Sequence, residues 1–338
     1  MNTPALADSV RMAGDAVEIL DRRVYPFEVR WVRCATSEEV ATAIEQMVTQ
    51  SSGPLFATTA GMTLAAREGR HEPPGRAAAR LRAAGERLIA TRPTNNHIRD
   101  AVHAILAATA DGPLAEAAGE ELAEAVAEAA AGHDAAYWAR SAALGGHAAS
   151  LLPDGARVLT HCWADAYLIA TVRAAQEAGR RLSFVCTETR PYLQGARLTA
   201  ATLVEMGYTP TLITDGMVAA ALADGIADVT LTAADRVTLD GHVINKVGTL
   251  GVALAASAFG VPYYALVQAP DPLAPTAADV VIEHRDGDEV LHVLGTRTAA
   301  PGVTGYYPAF DTTPPRLVTA IVTENGVYQP GQVKESLL

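Results

Sequence analysis

Two kinds of hydrophobic pattern divide the chain. From Pro153 onward, short β-rich apolar runs alternate with longer stretches of helical period. The runs are Val158–His161, Leu182–Cys186, Thr211–Thr214, Val229–Leu231 and Tyr263–Val267. Between and after them lie the helical stretches Ala164–Glu177, Gln194–Met206, Met217–Ala223 and Lys246–Phe259. Such alternation predicts a parallel, doubly wound sheet whose right-handed crossovers cover both faces. Val237–Leu239 and His242–Ile244 flank an Asp240-Gly241 turn and read as a small hairpin.

The first half follows another rhythm. Ala16–Leu20 and Phe27–Val32 alternate apolar and polar residues at period two and read as strands, with Asp21-Arg22-Arg23 turning between them. Thr36-Ser37-Glu38-Glu39 carries a helix-start signature, and that helix is expected to reach Thr49. Gln50–Pro54 should break it, with a second helix running through Ala66. After a loop at 71–76, helical segments continue to about Leu144, among them the Ala/Glu-rich stretch Leu114–Ala131. The change of pattern sets a boundary within 145–152. The expected architecture is α/β: a mostly helical N-terminal domain with short strands at its start (1–148), and a Rossmann-like parallel-sheet domain (149–338).

Composition narrows the function. With 338 residues, 49% apolar and 19% charged, the chain can bury a substantial core. Its net charge of −12 argues against a nucleic-acid surface. Three cysteines without a CxxC pair make neither a disulfide framework nor a zinc site, so a cytoplasmic protein without metal is the expectation. Residues 1–10 lack the basic start and apolar core of a signal peptide. No run approaches the ~20 apolar residues that span a bilayer.

Ligands of open parallel sheets bind beyond the carboxyl ends of the strands. Here those ends carry Cys162, then Glu188 and Arg190, then Asp215, then Asp235. Cys162, between a strand end and a helix start, has the setting of a thiol activated by a helix N-terminus, or else of a buried inert cysteine. His161 should point to the opposite face and serve structure, and Cys34 and Cys186 read as core. Asp235 is either half of a surface pair with Arg236 or a carboxyl of raised pKa able to act as acid or base. Asn245 and Lys246, expected at a helix start, suit an anionic group, as do Arg190 and Arg197. Neither G-x-G-x-x-G nor a P-loop occurs, so nicotinamide and P-loop ATP chemistry are not supported.

Several of these stretches together carry a resemblance: Thr187-Glu188-Thr189-Arg190-Pro191, Gln194–Thr199, Ala234-Asp235-Arg236, Asn245–Thr249, Pro308–Pro314, Ile321–Val327 and Arg92-Pro93-Thr94-Asn95. The chain resembles the methylthioribose-1-phosphate isomerase family, whose superfamily includes ribose-1,5-bisphosphate isomerase and the regulatory subunits of translation initiation factor 2B. The resemblance implies aldose-to-ketose isomerisation of a phosphorylated pentose in methionine or related pentose salvage, by a cytoplasmic homodimer without cofactor. It implies Cys162 and Asp235 as the acid/base pair, and Arg92, Gln194, Asn245 and Lys246 as substrate-binding residues. The chain departs from the family pattern at Thr49–Pro54, where an Arg-Gly-Ala-Pro segment is expected, and at Trp163 and Asp165 after the cysteine. The other readings are a non-catalytic sugar-phosphate or nucleotide-binding regulatory subunit and a sugar-phosphate enzyme of altered specificity.

Overall fold

The computed structural model describes residues 3–92, 95–112, 114 and 116–338. The chain separates into two compact units, Ala5–Ala139 and Arg140–Leu338, the second also taking in Pro4.

The first unit opens with an antiparallel meander of β1 (Val10–Ala13), β2 (Ala16–Leu20) and β3 (Trp31–Cys34). Helices α1 (Ser37–Glu45), α2 (Gly53–Glu68), α3 (Pro74–Ala90) and α4 (Asn96–Ala108) follow, then α5 (Gly119–Ser150), which continues into the second unit. Thr36 caps α1 by accepting the Glu39 N–H, while the Glu39 carboxylate accepts the Ala35 N–H. Val17, Ile19, Ile44, Met62, Leu81, Leu88 and Val102 are fully buried in one cluster.

Several boundaries differ from the pattern. The third strand begins at Trp31; Phe27 and Val29 are exposed, and the alternation there has no apolar face to bury. Helix α1 stops at Glu45 because Met47 adopts a left-handed φ of 61°. Gly53 and Pro54 begin α2, where a proline costs no hydrogen bond. The Ala/Glu-rich helix starts at Gly119, and Ala115 lies outside the described residues, as do Pro93 and Thr94 of the quoted Arg92–Asn95 segment.

The second unit is built on a seven-stranded sheet. Its elements are β4 (Arg157–Thr160), α6 (Asp165–Glu177), β5 (Ser183–Thr187), α7 (Ala200–Glu205), β6 (Thr211–Ile213), α8 (Val218–Ala223) and β7 (Val229–Ala233). Then come β8 (Arg236–Val237), β9 (Val243–Lys246), α9 (Thr249–Ala258), β10 (Tyr263–Leu266), β11 (His292–Val293) and β12 (Thr296–Arg297). The chain finishes with β13 (Phe310–Thr313), β14 (Ala320–Thr323) and β15 (Gly326–Tyr328). The sheet order is β15-β14-β10-β7-β4-β5-β6, parallel except for the edge strand β15. Taken in chain order, its six parallel strands stand 3-2-1-4-5-6, the doubly wound arrangement that opens a crevice between the first and fourth strands. Here those strands are β4 and β7.

The hairpin at Asp240-Gly241 forms as expected, β8 pairing β9 with Val237 opposite Val243. A third strand, β13, completes a small antiparallel sheet by pairing with β9. This corrects the placement of Asn245 and Lys246. They do not open a helix; they end β9, opposite Asp311 and Phe310. Helix α9 starts only after Gly248, whose φ of 108° turns the chain where a Cβ would lie 2.7 Å from the His161 ring.

Candidate functional site

Cys162 lies two residues beyond β4 and Asp235 two beyond β7, so the two flank the mouth of the switch-point crevice. Glu188, Arg190 and Asp215 follow β5 and β6 on the same edge.

The loops that hold this edge are strained. Cys162, Asp165, Thr189 and Leu193 all have left-handed φ, at 64°, 47°, 62° and 63°. Each non-glycine residue there costs on the order of 1–3 kcal/mol and persists only where its surroundings fix it. The Cys162 N–H donates to the Thr189 hydroxyl at 2.9 Å, and the Thr199 hydroxyl donates to the Cys162 carbonyl. Asp215 accepts the N–H groups of Thr189 and Arg190 at 2.8 and 2.7 Å. The loop after β6 thus anchors the loop after β5, which anchors the cysteine after β4. Gly195 opens a π-helical turn, Gly195–Thr199, ahead of α7; a Cβ on it would lie 1.8 Å from the Thr187 carbonyl oxygen. Gln194, next to it, is buried.

His161 is buried with both ring nitrogens engaged, Nε2 with the Val247 carbonyl at 3.0 Å and Nδ1 with the Thr187 hydroxyl at 2.7 Å. The carbonyl only accepts, so Nε2 carries the proton and Nδ1 accepts from Thr187. Burial keeps the ring pKa below its ordinary value, in accord with this neutral tautomer. Its reach ties β4 to the Val247-Gly248 turn.

Lys246 is buried, donates from Nζ to the Ala309 carbonyl at 2.9 Å and lies 4.5 Å from the Phe310 ring centroid. Asn245 donates from Nδ2 to the Thr249 hydroxyl at 3.0 Å. Lys246 is within electrostatic range of both residues at the crevice. Burial pushes the Cys162 thiol up to about 12; Lys246 and the Trp163 N–H oppose that, while Asp235 and Asp215 add to it. The expected lowering of this pKa by a helix N-terminus is therefore corrected. Helix α6 starts at Asp165 rather than at the cysteine, and desolvation of a thiolate outweighs the positive charges nearby. The Asp235 carboxyl is also raised, by surrounding protein atoms first, against the pull of Lys246 and Arg236 and with a push from Glu283. Asp235 nonetheless presents surface to solvent, a carboxyl that is both crowded and reachable.

Tyr307 was not singled out by the sequence. It is buried, and its phenol, raised to about 12 chiefly by burial, senses Cys162, Glu283 and Arg285. Its carbonyl accepts from the Arg285 N–H at 2.9 Å, and Ala309 donates to the Glu283 carbonyl at 2.8 Å, so this segment runs beside the one containing Glu283. No spacing rule links Tyr307 to a strand end 147 positions earlier. Cys34 and Cys186 are buried, as expected. Arg92 belongs to the helical unit, where it donates to the Ile44 carbonyl at 3.5 Å and contacts the Met47 sulfur. Among the described residues no helix is long and apolar enough to cross a membrane, and no cluster of three or more His, Cys, Asp or Glu side chains could hold a metal ion.

Comparison with known proteins places this geometry in a family. The Initiation factor 2 subunit family model matches residues 48–330. Methylthioribose-1-phosphate isomerase of Anaeromyxobacter dehalogenans is 42% identical, over 96% of this chain and 94% of its own. The protein of the same name from Pelotomaculum thermopropionicum is 39% identical over 96% and 92%. Among solved structures, 5-methylthioribose 1-phosphate isomerase from Pyrococcus horikoshii superposes with a TM-score of 0.87 at 29% identity, over 99% of this chain and 97% of that one. Translation initiation factor eIF-2B subunit delta from A. fulgidus superposes at 0.82 with 33% identity, over 97% and 98%. The chain belongs to the initiation factor 2 subunit family and, within it, to the methylthioribose-1-phosphate isomerases, as an enzyme of the aldose–ketose isomerase class.

Proposed function

We propose that the protein converts a ribose 1-phosphate derivative, carrying a 5-methylthio, 5-deoxy or similar 5-substituent, into the ribulose 1-phosphate. Cys162 and Asp235 form the acid/base pair, and Arg92, Gln194, Asn245 and Lys246 bind substrate. The observation that carries this reading is the position of Cys162 and Asp235 on either side of the switch-point crevice, with the Lys246 charge felt by both. The relatives named as methylthioribose-1-phosphate isomerases support the substrate class.

A 1-phosphate blocks the anomeric carbon, so the ring opens only with acid assistance. Asp235, its carboxyl pushed above the ordinary value by its crowded surroundings, gives its proton to the ring oxygen as the bond from that oxygen to C1 breaks. Two routes then lead to the ketose. In one, Cys162 takes the C2 proton to leave a 1,2-enol and returns it to C1, while the C2 hydroxyl gives its proton to the Asp235 carboxylate and becomes the carbonyl. In the other, hydrogen moves from C2 to C1 with its electron pair, and the C2 hydroxyl returns its proton to the Asp235 carboxylate as it becomes the carbonyl. Burial that holds the Cys162 thiol up at about 12 means that bound substrate must help to deprotonate it in the proton route. Reaction in deuterium oxide reads the difference: label at C1 of the product supports the proton route with Cys162 as half of the pair, and its absence supports the hydride route.

The decisive assay offers the purified protein methylthioribose 1-phosphate, 5-deoxyribose 1-phosphate, ribose 1-phosphate and ribose 1,5-bisphosphate, with the ketose followed by NMR. Turnover that vanishes in Cys162→Ala and Asp235→Asn is expected. Failure of the folded protein to convert any of the four overturns the reading. A second reading, a regulatory subunit that binds a sugar phosphate or nucleotide, is favoured by Thr49–Pro54 standing where the Arg-Gly-Ala-Pro segment is expected. The same proposal has the enzyme as a cytoplasmic homodimer without cofactor, its dimer mass checked by light scattering.

A further inference from the structure

The helical unit contains a cavity of about 240 Å³ that the proposed reaction does not use. Residues of β1, α2 and α5 line it, among them Phe56, Thr59, Ala127, Ala130, Asp134 and Trp138. Its walls are mainly apolar on the helical sides, and the Phe56 and Trp138 rings stack with centroids 5.9 Å apart and planes 13° apart. Into this setting α5 delivers a carboxyl group.

That carboxyl is half satisfied. Asp134 Oδ2 lies 3.1 Å from the Thr59 hydroxyl, which also lies 3.0 Å from the Phe56 carbonyl. One hydroxyl proton cannot serve both acceptors. Asp134 Oδ1 is buried with no hydrogen-bond partner among the described residues. Leaving a buried acceptor unmade is costly, and a charged one more so. The cavity therefore combines a carboxyl group in its wall, an aromatic surface and space for a small molecule. A donor that brings positive charge meets the first two together, because an ammonium group pairs with the carboxylate and is attracted to aromatic faces.

We propose that this cavity binds a small organic ammonium ion with an apolar body, its nitrogen pairing with the Asp134 carboxylate in the cavity wall and its body lying against Phe56, Trp138 and the α5 alanines. The site is independent of the isomerase reading, since none of its lining residues is assigned to that reaction. Burial sets Asp134 near pH 7, its pKa raised to about 7 against the pull of Thr59, so the carboxylate that recruits the cation is present above neutrality and lost below it. The other charged groups at the cavity are Asp8 and Arg11 from the N-terminal segment, with His133 adjacent to Asp134 on α5; the α2 wall contributes none. Arg11 is drawn towards Glu18, at 2.8 Å, and lies over Trp31, which tempers its repulsion of a cation.

Titration calorimetry on the whole protein tests the idea, with benzylamine as the probe and benzyl alcohol as its uncharged counterpart. Benzylamine is expected to bind at pH 8 and to weaken about tenfold by pH 6, the change set by one group titrating near 7. Asp134→Asn should abolish binding with the fold retained by circular dichroism. Ala127→Leu, which fills the space and leaves the carboxyl intact, should abolish it too and decides the matter if the first variant fails to fold. No benzylamine binding up to ~10 mM, equal binding of the alcohol, or binding that survives Ala127→Leu overturns the proposal.

Discussion

The two units handle buried polar groups differently. In the helical unit, Arg22 is fully buried behind the loop before α2, donating to the Gln50 carbonyl at 2.5 Å and the Ser9 hydroxyl at 2.8 Å. Its job is to hold backbone. In the sheet unit, the loops at the switch point are fixed by strained backbone and neutral hydroxyls instead: Cys162 and Thr189 adopt left-handed conformations, and the buried Thr189 hydroxyl accepts the Cys162 N–H. One arrangement spends a charge to fix a loop. The other spends loop strain to place chemistry, which is the pattern of a working site.

That contrast can be broken by substitution. The largest effect belongs to the crevice: Asp235→Asn should lower kcat by ~10²–10⁴ in the ketose assay with little change in melting temperature. Arg22→Met should do the reverse, costing about 2–4 kcal/mol in urea unfolding through lost charged hydrogen bonds and orphaned backbone acceptors. Equal losses of stability from both variants would dissolve the distinction. Gly195→Ala sharpens it, because its Cβ meets the Thr187 carbonyl; about 1–3 kcal/mol of destabilisation is expected, together with lost turnover. Gly146→Ala on α5 meets nothing within 4 Å and should be neutral or stabilising by up to about 1 kcal/mol.

The smallest effect is one of pH. Asp134 has a folded pKa near 7, above its unfolded value, so the folded state binds the extra proton. Stability from this group is present at acid pH and is lost as pH rises from the ordinary carboxylate range through about 7. Thermal melts of Asp134→Asn should show a shallower decline over that window than the parent protein. Parallel curves would mean that Asp134 is not perturbed.

The sequence made the sheet legible because each parallel strand is a short β-rich run bounded by a helix of its own. Val158–His161 and Tyr263–Val267 fall within one residue of β4 and β10. Position along the edge followed from the topology, so Cys162 and Asp235 could be singled out without contacts. What failed depends on distant partners. Asn245 and Lys246 looked like a helix start because the strand that pairs with them, β13, lies over 60 residues later. The thiol pKa was misjudged because helix proximity is visible in a sequence and desolvation is not. The helical pattern was expected to run only to about Leu144, yet α5 runs through to Ser150. A Cβ at Gly145 would lie 2.5 Å from the Ala170 backbone, so this glycine permits close packing against α6.

The clamp on the Cys162 peptide has a consequence for how such an enzyme changes over evolutionary time. Thr189 and Thr199 grip the peptide groups of the cysteine through its N–H and carbonyl, using hydroxyls from the loop after β5 and from the π-helical turn that follows it. Neither grip uses the side chains of the buried neighbours Trp163 and Asp165. A lineage that keeps these two threonines keeps both grips on the cysteine peptide.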